Sequence, residues 1–305
     1  MARDPRADIL EDDFFPKAAS RIHRVHAHRS NDGTIHVGVG EGQGGIGGLF
    51  GVNSRQPIEH HKGKIWHFSK EEQRHLLLAT GAFTLALGLM RVGGLFGTDD
   101  FASNSAWAMT LLISMPVMLI AVGPAFLLHE IGHKVVAKHY GCWAEFRADP
   151  KGLQFGVVLA AFLGVVFMAP GAVMVAGLVT RRQNGHIAIA GPLVNLGLFV
   201  IGIPLGGILL GVSGIGTEIT GEYLTSSGLN LKLMLYDTVQ WWIGANLILA
   251  TFNMLPFGPL DGAKIKDWNQ AVWFGFFILF LGLSILMISG RWNAISLSLA
   301  LAGLF

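Results

Sequence analysis

Long apolar segments separated by short polar loops make up the chain from about residue 71 onwards. A bilayer-spanning helix needs about 20 apolar residues. Segments of roughly this kind lie at about 71–91, 105–140, 187–212, 231–252, 268–289 and 292–305. Ser69 followed by Glu72 predicts a helix start before the first of them. The pattern predicts a mainly α-helical polytopic membrane protein with about six transmembrane helices.

The first 70 residues are different, because they are polar and rich in glycine and histidine. They contain GVGEGQGGIGGLFG, which includes the pattern GxGxxG at Gly40, Gly42 and Gly45. A dinucleotide-binding site would need a helix after these glycines, but more glycines and then Pro57 follow. We expect residues 1–70 to form a cytoplasmic, partly flexible arm and residues 71–305 to form the membrane-embedded domain.

Composition agrees with this division and limits the possible chemistry. The chain is 51% hydrophobic and 14% charged, which is too apolar for an ordinary soluble domain. Its single cysteine, Cys142, allows neither a disulfide framework nor a CxxC site. Any metal would therefore be held by histidine and carboxylate side chains.

Loop charges predict the orientation, because Lys and Arg are enriched on the cytoplasmic side. The loops at 92–104 and 213–230 contain acidic residues but no Lys or Arg, so we expect them outside. Lys151 and Arg181 can share the cytoplasmic side only if the segment between them enters the membrane and returns. We therefore expect a re-entrant segment there, followed by a small β-hairpin at about 171–190 that turns at residues 183–185.

The sequence HEIGH follows an apolar run and carries candidate catalytic chemistry. His129 and His133 are four residues apart, so on a helix both imidazoles lie on one face and can hold one zinc ion. Glu130 can reach a zinc-bound water without being a ligand. Alternatively, the histidines simply face lipid headgroups. Asp261 is predicted to lie on the same side of the membrane and to be a third ligand, although an aspartate before glycine is also typical of a turn.

At these residues the chain resembles the site-2 proteases, the intramembrane zinc metalloproteases of peptidase family M50. The resemblance covers residues from about 71 to 290 and rests on HEIGH, AGPLVN and NMLPFGPLDG. The apolar insert before APGAVMVAG is similar to the archaeal branch of the family.

The resemblance implies roles for individual residues. His129, His133 and Asp261 would ligate one zinc ion, and Glu130 would be the general base. Asn195 and Asn253 match family asparagines that hold the substrate backbone or assist the polarised carbonyl.

The implied function is that of an intramembrane zinc metalloendopeptidase. It would use zinc-activated water to cut membrane-anchored, regulatory proteins in or near their transmembrane segments. We expect a multi-pass protein of the cell membrane with its active site towards the cytoplasm, with the lipid bilayer and protein substrates as partners and no nucleic acid. An edge strand of the predicted hairpin could pair with the unwound substrate.

Two alternatives remain open at this point. A zinc transporter or an inactive scaffold could use the same ligands but would not need Glu130 beside them. A membrane-anchored peptidase of the HtpX type would take its third ligand from a later cytosolic helix, but no soluble segment after His133 is long enough for one.

Overall fold

The computed structural model describes residues 66–168 and 170–304, together with the backbone of two strands near the N-terminus. The chain divides into two compact units, Met1–Glu59 and His60–Phe305.

In the first unit, β1 (Arg24–Arg29) and β2 (Ile35–Gly40) pair as an antiparallel hairpin, with His28 opposite His36. This hairpin falls inside the arm that the sequence predicts, and it was not itself predicted. The glycines that follow β2 lie outside the described residues, so the expected flexibility of that segment stays a prediction.

The described part of the second unit is mainly helical. Its helices are α1 (Lys70–Arg91), α2 (Asn104–His139), α3 (Pro150–Leu163), α4 (Arg181–Val212), α5 (Leu231–Asn253), α6 (Asp261–Trp268), α7 (Gln270–Ile288) and α8 (Ala294–Ala302). A 3-10 helix, Gly94–Asp100, follows α1. The strands are β3 (Trp143–Ala148), β4 (Gly171–Ala176), β5 (Leu224–Thr225) and β6 (Gly228–Leu229).

Within the described residues, three helices are long and apolar enough to cross a bilayer, namely α2, α4 and α7. The helices α1 and α5 coincide with predicted segments but are not among these three. Helix α8 has 9 residues, or about 14 Å of helix, which is too short to cross. The predicted count of six spans is therefore not confirmed.

The predicted hairpin at 171–190 is wrong in its second half. Residues 171–176 do form a strand, but β4 pairs with the earlier strand β3, in antiparallel register. Residues 183–185 lie in α4 instead of a turn, because Thr180 and Gln183 form a reciprocal capping box that starts the helix. A Cβ on Gly185 would lie 2.3 Å from the Cβ of Trp268, so this glycine serves close packing.

The chain leaves the two-stranded sheet at the end of β3 and returns to it at the start of β4. Helix α3 has 14 residues, about 21 Å, which is too short to cross a bilayer. The chain then comes back so that Gly171 pairs with Ala148 and the Asp149 N–H donates to the Pro170 carbonyl at 3.2 Å. Phe155 and Phe162 on α3 are exposed. This is the shape expected of a re-entrant segment, and its insertion in a bilayer stays a prediction.

Helix α2 lies at the centre of the second unit, packed against α1, α4 and α5. The largest apolar cluster is built on α4, α5, α7 and α8, and it includes Phe199, Ile243, Leu247, Phe280 and Ile295. The polar turn of α2 that contains HEIGH is consequently enclosed by protein on several sides.

Candidate active site

Three side chains from two helices meet beside the buried turn of α2. The Nε2 atoms of His129 and His133 lie 3.1 Å apart. From α6, Asp261 Oδ2 lies 3.3 Å from His129 Nε2 and 3.1 Å from His133 Nε2. All three residues are buried. In the part of the chain that the structure describes, they form the one group of histidine and acidic side chains suited to a metal ion.

The geometry of this group fits zinc. Tetrahedral coordination with bonds of about 2.0 Å places neighbouring ligand atoms about 3.3 Å apart, and the three separations here are 3.1, 3.1 and 3.3 Å. Two imidazoles and a carboxylate are also a donor set that catalytic zinc sites use, with the fourth position open. His129, His133 and Asp261 could therefore hold one zinc ion.

The other nitrogen of each imidazole is fixed by helix α4. His129 Nδ1 lies 2.6 Å from Asn195 Oδ1, and His133 Nδ1 lies 2.7 Å from the Ile187 carbonyl oxygen. Both of these oxygens are acceptors, so each Nδ1 carries the proton and donates it. Each Nε2 lone pair is thus left facing Asp261, which is the tautomer that metal binding requires.

The amide of Asn195 is itself oriented by two further contacts. Its Nδ2 donates to the Ala125 carbonyl at 2.9 Å and to Asn246 Oδ1 at 2.9 Å. Asn195 is fully buried. Because both amide hydrogens are used in this way, the oxygen is turned towards His129.

A glycine lets α4 approach the imidazoles. A Cβ on Gly191 would lie 2.5 Å from the Nε2 atoms of both His129 and His133. Any larger residue at this position would collide with the atoms that face Asp261. This requirement explains the glycine of AGPLVN in physical terms.

The loop before α6 delivers Asp261 to the site. A Cβ on Gly262 would lie 2.1 Å from the Met254 carbonyl oxygen, so the chain folds back closely here. Oδ2 of Asp261 faces the imidazoles, and Oδ1 lies 3.5 Å from Lys264 Nζ.

Glu130 lies beside this group on α2 and is 9% exposed. Its Oε2 accepts a hydrogen bond of 3.1 Å from the backbone N–H of Val173 in β4. The pocket beside it is lined by the apolar side chains of Phe68, Ile131 and Phe146 and by the charged side chains of Glu72 and Lys134.

The chain is similar in sequence to a known protein family. The family model described as Peptidase family M50 matches residues 117–272, just over half of the chain, and this range includes His129, Glu130, His133 and Asp261. The chain belongs to peptidase family M50. The match confirms the family that the sequence motifs indicate.

Several relatives of this M50 chain carry related names. The protein named "Putative zinc metalloprotease MJ0611" of Methanocaldococcus jannaschii is 37% identical over 195 residues, covering 62% of this chain and 84% of that protein. The "Putative zinc metalloprotease YwhC" of Bacillus subtilis is 30% identical over 161 residues, covering 50% of this chain and 68% of that protein. The "Zinc metalloprotease MJ0392" of M. jannaschii is 28% identical over 149 residues, covering 49% of this chain and 33% of that protein. No solved structure matches the chain.

These findings confirm the predicted enzyme class, a zinc metalloprotease of family M50. Together with the three long apolar helices, they also support a protein of the lipid bilayer.

Within the M50 chain, the two predicted asparagines lie in different settings. Asn195 contacts the metal-ligand group through His129, as described above. Asn253 lies at the end of α5, where its Nδ2 donates to the Leu249 carbonyl of the same helix at 3.1 Å. Sequence reasoning missed Asn246, although a buried asparagine within an apolar helix was an available signal.

Proposed function

We propose that this M50 metalloprotease is an intramembrane endopeptidase. It hydrolyses peptide bonds in or near the transmembrane segments of membrane-anchored proteins, with its active site towards the cytoplasm. The observation that carries the proposal is a buried carboxylate, Glu130, beside a three-ligand group whose imidazoles already have the metal-binding tautomer.

In this proposal His129, His133 and Asp261 hold one zinc ion. When bound there, zinc would polarise the scissile carbonyl and lower the pKa of a water to about 7. Glu130 acts as general base, taking a proton from the attacking water and then giving it to the leaving amine. The Val173 N–H donates to Oε2 of Glu130 and helps to orient the carboxylate, which keeps lone pairs free to accept the proton.

The position of Glu130 favours a hydrolase over a transporter or scaffold. A carboxylate buried in protein is costly unless it has a partner or a function. Glu130 does not belong to the three-residue ligand group, so metal binding alone does not account for it. A general base in a zinc peptidase does.

Sheet geometry suggests how the substrate backbone is held. Phe146 and Val173 are opposite each other in β3 and β4, and both of their N–H groups point out of the sheet, to Glu72 and Glu130 respectively. By the alternation of antiparallel pairs, Val175 also turns its backbone groups outward. The outer edge of β3 is covered by α1, since the Ala148 N–H donates to His75 Nδ1 at 3.1 Å.

The outer edge of β4 therefore runs past Glu130. We propose that an unwound substrate segment pairs with this edge and so presents a peptide bond to the base. In Val175→Pro one outward N–H is lost without a break in the β3–β4 hydrogen bonds. Its kcat/KM should fall about tenfold or more, because removing the donor costs at least one hydrogen bond. Val175→Ala, which keeps the N–H, is the matched control, and equal activity of the two variants would eliminate the edge-pairing model.

For Asn195 the buried contacts support a role in orienting His129. The predicted substrate contacts of Asn195 and Asn253 stay predictions.

The decisive experiment is cleavage of a single-span model substrate by purified protein in detergent, with bound zinc quantified. Wild type and Glu222→Gln, a change at an exposed loop residue, should bind one zinc and cleave. Glu130→Gln should bind zinc and not cleave, and a chelator should stop the active proteins. Cleavage by Glu130→Gln would refute the proposed base. Zinc flux in proteoliposomes that survives Glu130→Gln, with no cleavage by any protein, would establish the transporter instead.

A further inference from the structure

A buried ion pair joins α1 to α2 next to the proposed base. Lys134 Nζ contacts Glu72 Oε2, and the two side chains are 2% and 0% exposed. Burying two charges carries a desolvation cost, and a well-packed apolar pair of similar size is often as stabilising or more so. A contribution to the stability of the fold therefore does not explain why this pair is present. Its position next to Glu130 suggests a different role.

Both charged groups use their remaining hydrogen-bonding capacity on neighbouring backbone. Lys134 Nζ also donates to the His67 carbonyl at 2.9 Å and lies 3.6 Å from the ring centroid of Phe68. Glu72 Oε1 accepts from the Phe146 N–H at 3.0 Å. The pair thus connects α1, α2 and the outer edge of β3.

A continuous set of contacts connects the Lys134–Glu72 pair with Glu130. Phe146 is opposite Val173, whose N–H donates to Glu130 Oε2 at 3.1 Å. Glu130 and Lys134 are four residues apart in α2 and so lie on the same helix face. Glu130 is linked to Val173 by a hydrogen bond, Val173 to Phe146 by strand pairing, and Phe146 to Glu72 by a second hydrogen bond. Glu72 pairs with Lys134, which lies one turn of α2 from Glu130. The Lys134–Glu72 pair is thus one of the contacts that hold the sheet beside the Glu130 carboxylate.

We propose that Lys134 and Glu72 are positioning residues that fix the β3–β4 sheet, and through it the Glu130 carboxylate, for proton transfer. The inference rests on the proposed role of Glu130 as general base. It explains the orientation of that base by residues outside the zinc-binding motif.

The ligands depend on different contacts. His129 and His133 are oriented from α4, through Asn195 and the Ile187 carbonyl, whereas the ion pair acts from the side of α1 and β3. Loss of the pair should therefore lower catalysis and leave zinc affinity unchanged. A pair that merely stabilised the fold would not separate these two quantities.

The test compares full-length variants in detergent by kcat, zinc affinity and thermal unfolding. Lys134→Met should lower kcat by about 10- to 100-fold, the range typical for loss of an outer-shell partner, with unchanged zinc affinity. Lys134→Arg should recover much of this loss, because a guanidinium can also bind Glu72. The double variant Glu72→Leu/Lys134→Met should recover thermal stability, since it leaves no unpaired buried charge. Its kcat should stay low, because the Phe146 N–H has lost its acceptor.

A partly buried ion pair at the opposite end of α1, whose side chains are 33% and 12% exposed, provides a control. Arg91 Nη2 lies 3.6 Å from Asp237 Oδ2, and Asp237→Asn removes this charge pairing. The control should lower thermal stability and keep kcat. If Lys134→Met does not fold, the double variant and Lys134→Arg carry the test.

The inference is overturned if kcat of the double variant recovers together with its thermal stability. It is also overturned if Lys134→Met loses zinc affinity, or if Asp237→Asn loses as much kcat at equal thermal stability. Full activity of Lys134→Met beside an inactive Glu130→Gln would remove this inference alone. Cleavage by Glu130→Gln would remove the proposed base and this inference with it.

Discussion

Replacing Gly191 with alanine should weaken zinc binding while the fold survives. The added methyl would lie 2.5 Å from both His129 Nε2 and His133 Nε2, whereas ordinary contacts of a Cβ begin near 3.4 Å. The overlap of about 0.9 Å must be relieved by movement of the imidazoles or of α4, because packed interiors offer few voids. Metal sites require ligand distances within about 0.2 Å of their ideal values.

The loss of zinc affinity depends on whether the metal-free or the zinc-bound protein is strained by the added methyl group. Without metal, the imidazoles can move away from the methyl group and relieve the overlap. With metal bound, both Nε2 atoms must stay in place, so the strain falls on the bound state. Overpacking of this kind costs about 1–3 kcal/mol, which corresponds to roughly 5- to 150-fold weaker zinc binding.

Competition with a chromophoric zinc chelator measures this change, and thermal unfolding of the metal-free proteins checks the fold. Gly197→Ala is the matched control, because it makes the same change on the same helix with nothing within 4 Å of the new Cβ. It should bind zinc normally and be as stable as wild type or more so, since alanine is favoured over glycine in a helix by about 1 kcal/mol. Wild-type zinc affinity in Gly191→Ala would refute the close approach of α4 to the ligands.

Two further predictions concern buried hydrogen bonds. Asn195→Leu should weaken zinc binding by about 10- to 100-fold in the same competition assay, and Asn195→Asp, which keeps an acceptor for His129, should weaken it less. Tyr223→Phe should lower thermal stability by about 1.5–3 kcal/mol without changing zinc affinity, because Tyr223 donates to the Asp237 carboxylate at 2.7 Å. Burial and this hydrogen bond raise the pKa of the Tyr223 phenol, so its stabilising effect should be complete below about pH 10 and decline above it, where the unfolded phenol ionises first. Unfolding midpoints that fall equally with alkaline pH in wild type and Tyr223→Phe would contradict this.

Local sequence patterns predicted most of the helices and the shared helix face of the two histidines, because both are encoded in short-range spacing. Helix α2 presents His129 and His133 on one face by its own periodicity. Asp261 was predicted from its expected side of the membrane and from the resemblance to a family motif, since an aspartate before glycine is by itself typical of a turn. The structure brings these three side chains together.

The prediction of the hairpin failed where one local signal outweighed another and where a tertiary contact decided the structure. Asn184 and Gly185 are typical turn residues, but the capping box at Thr180 starts a helix and the packing of Gly185 on Trp268 needs the absence of a side chain. The partner of β4 was missed because it lies earlier in the chain, with helix α3 inserted between the two strands. Pairing across such an insertion is not visible in a local pattern.

Two backbone groups also contribute to the site, and the amino-acid sequence does not predict them. The Ile187 carbonyl fixes His133, and the Val173 N–H fixes Glu130. Either group would be present with any residue at its position, so only the fold determines that it is there.

The two halves of the site consequently have separate supports. Helix α4 orients the ligand nitrogens through Asn195 and the Ile187 carbonyl, and its Gly191 leaves them room. The sheet, held against α1 by Glu72, orients the proposed base. Changes on the α4 side should act first on metal affinity, and changes on the α1 side should act on the catalytic rate of metal-loaded protein. A single support for the whole site would instead make metal affinity and rate fall together in every variant.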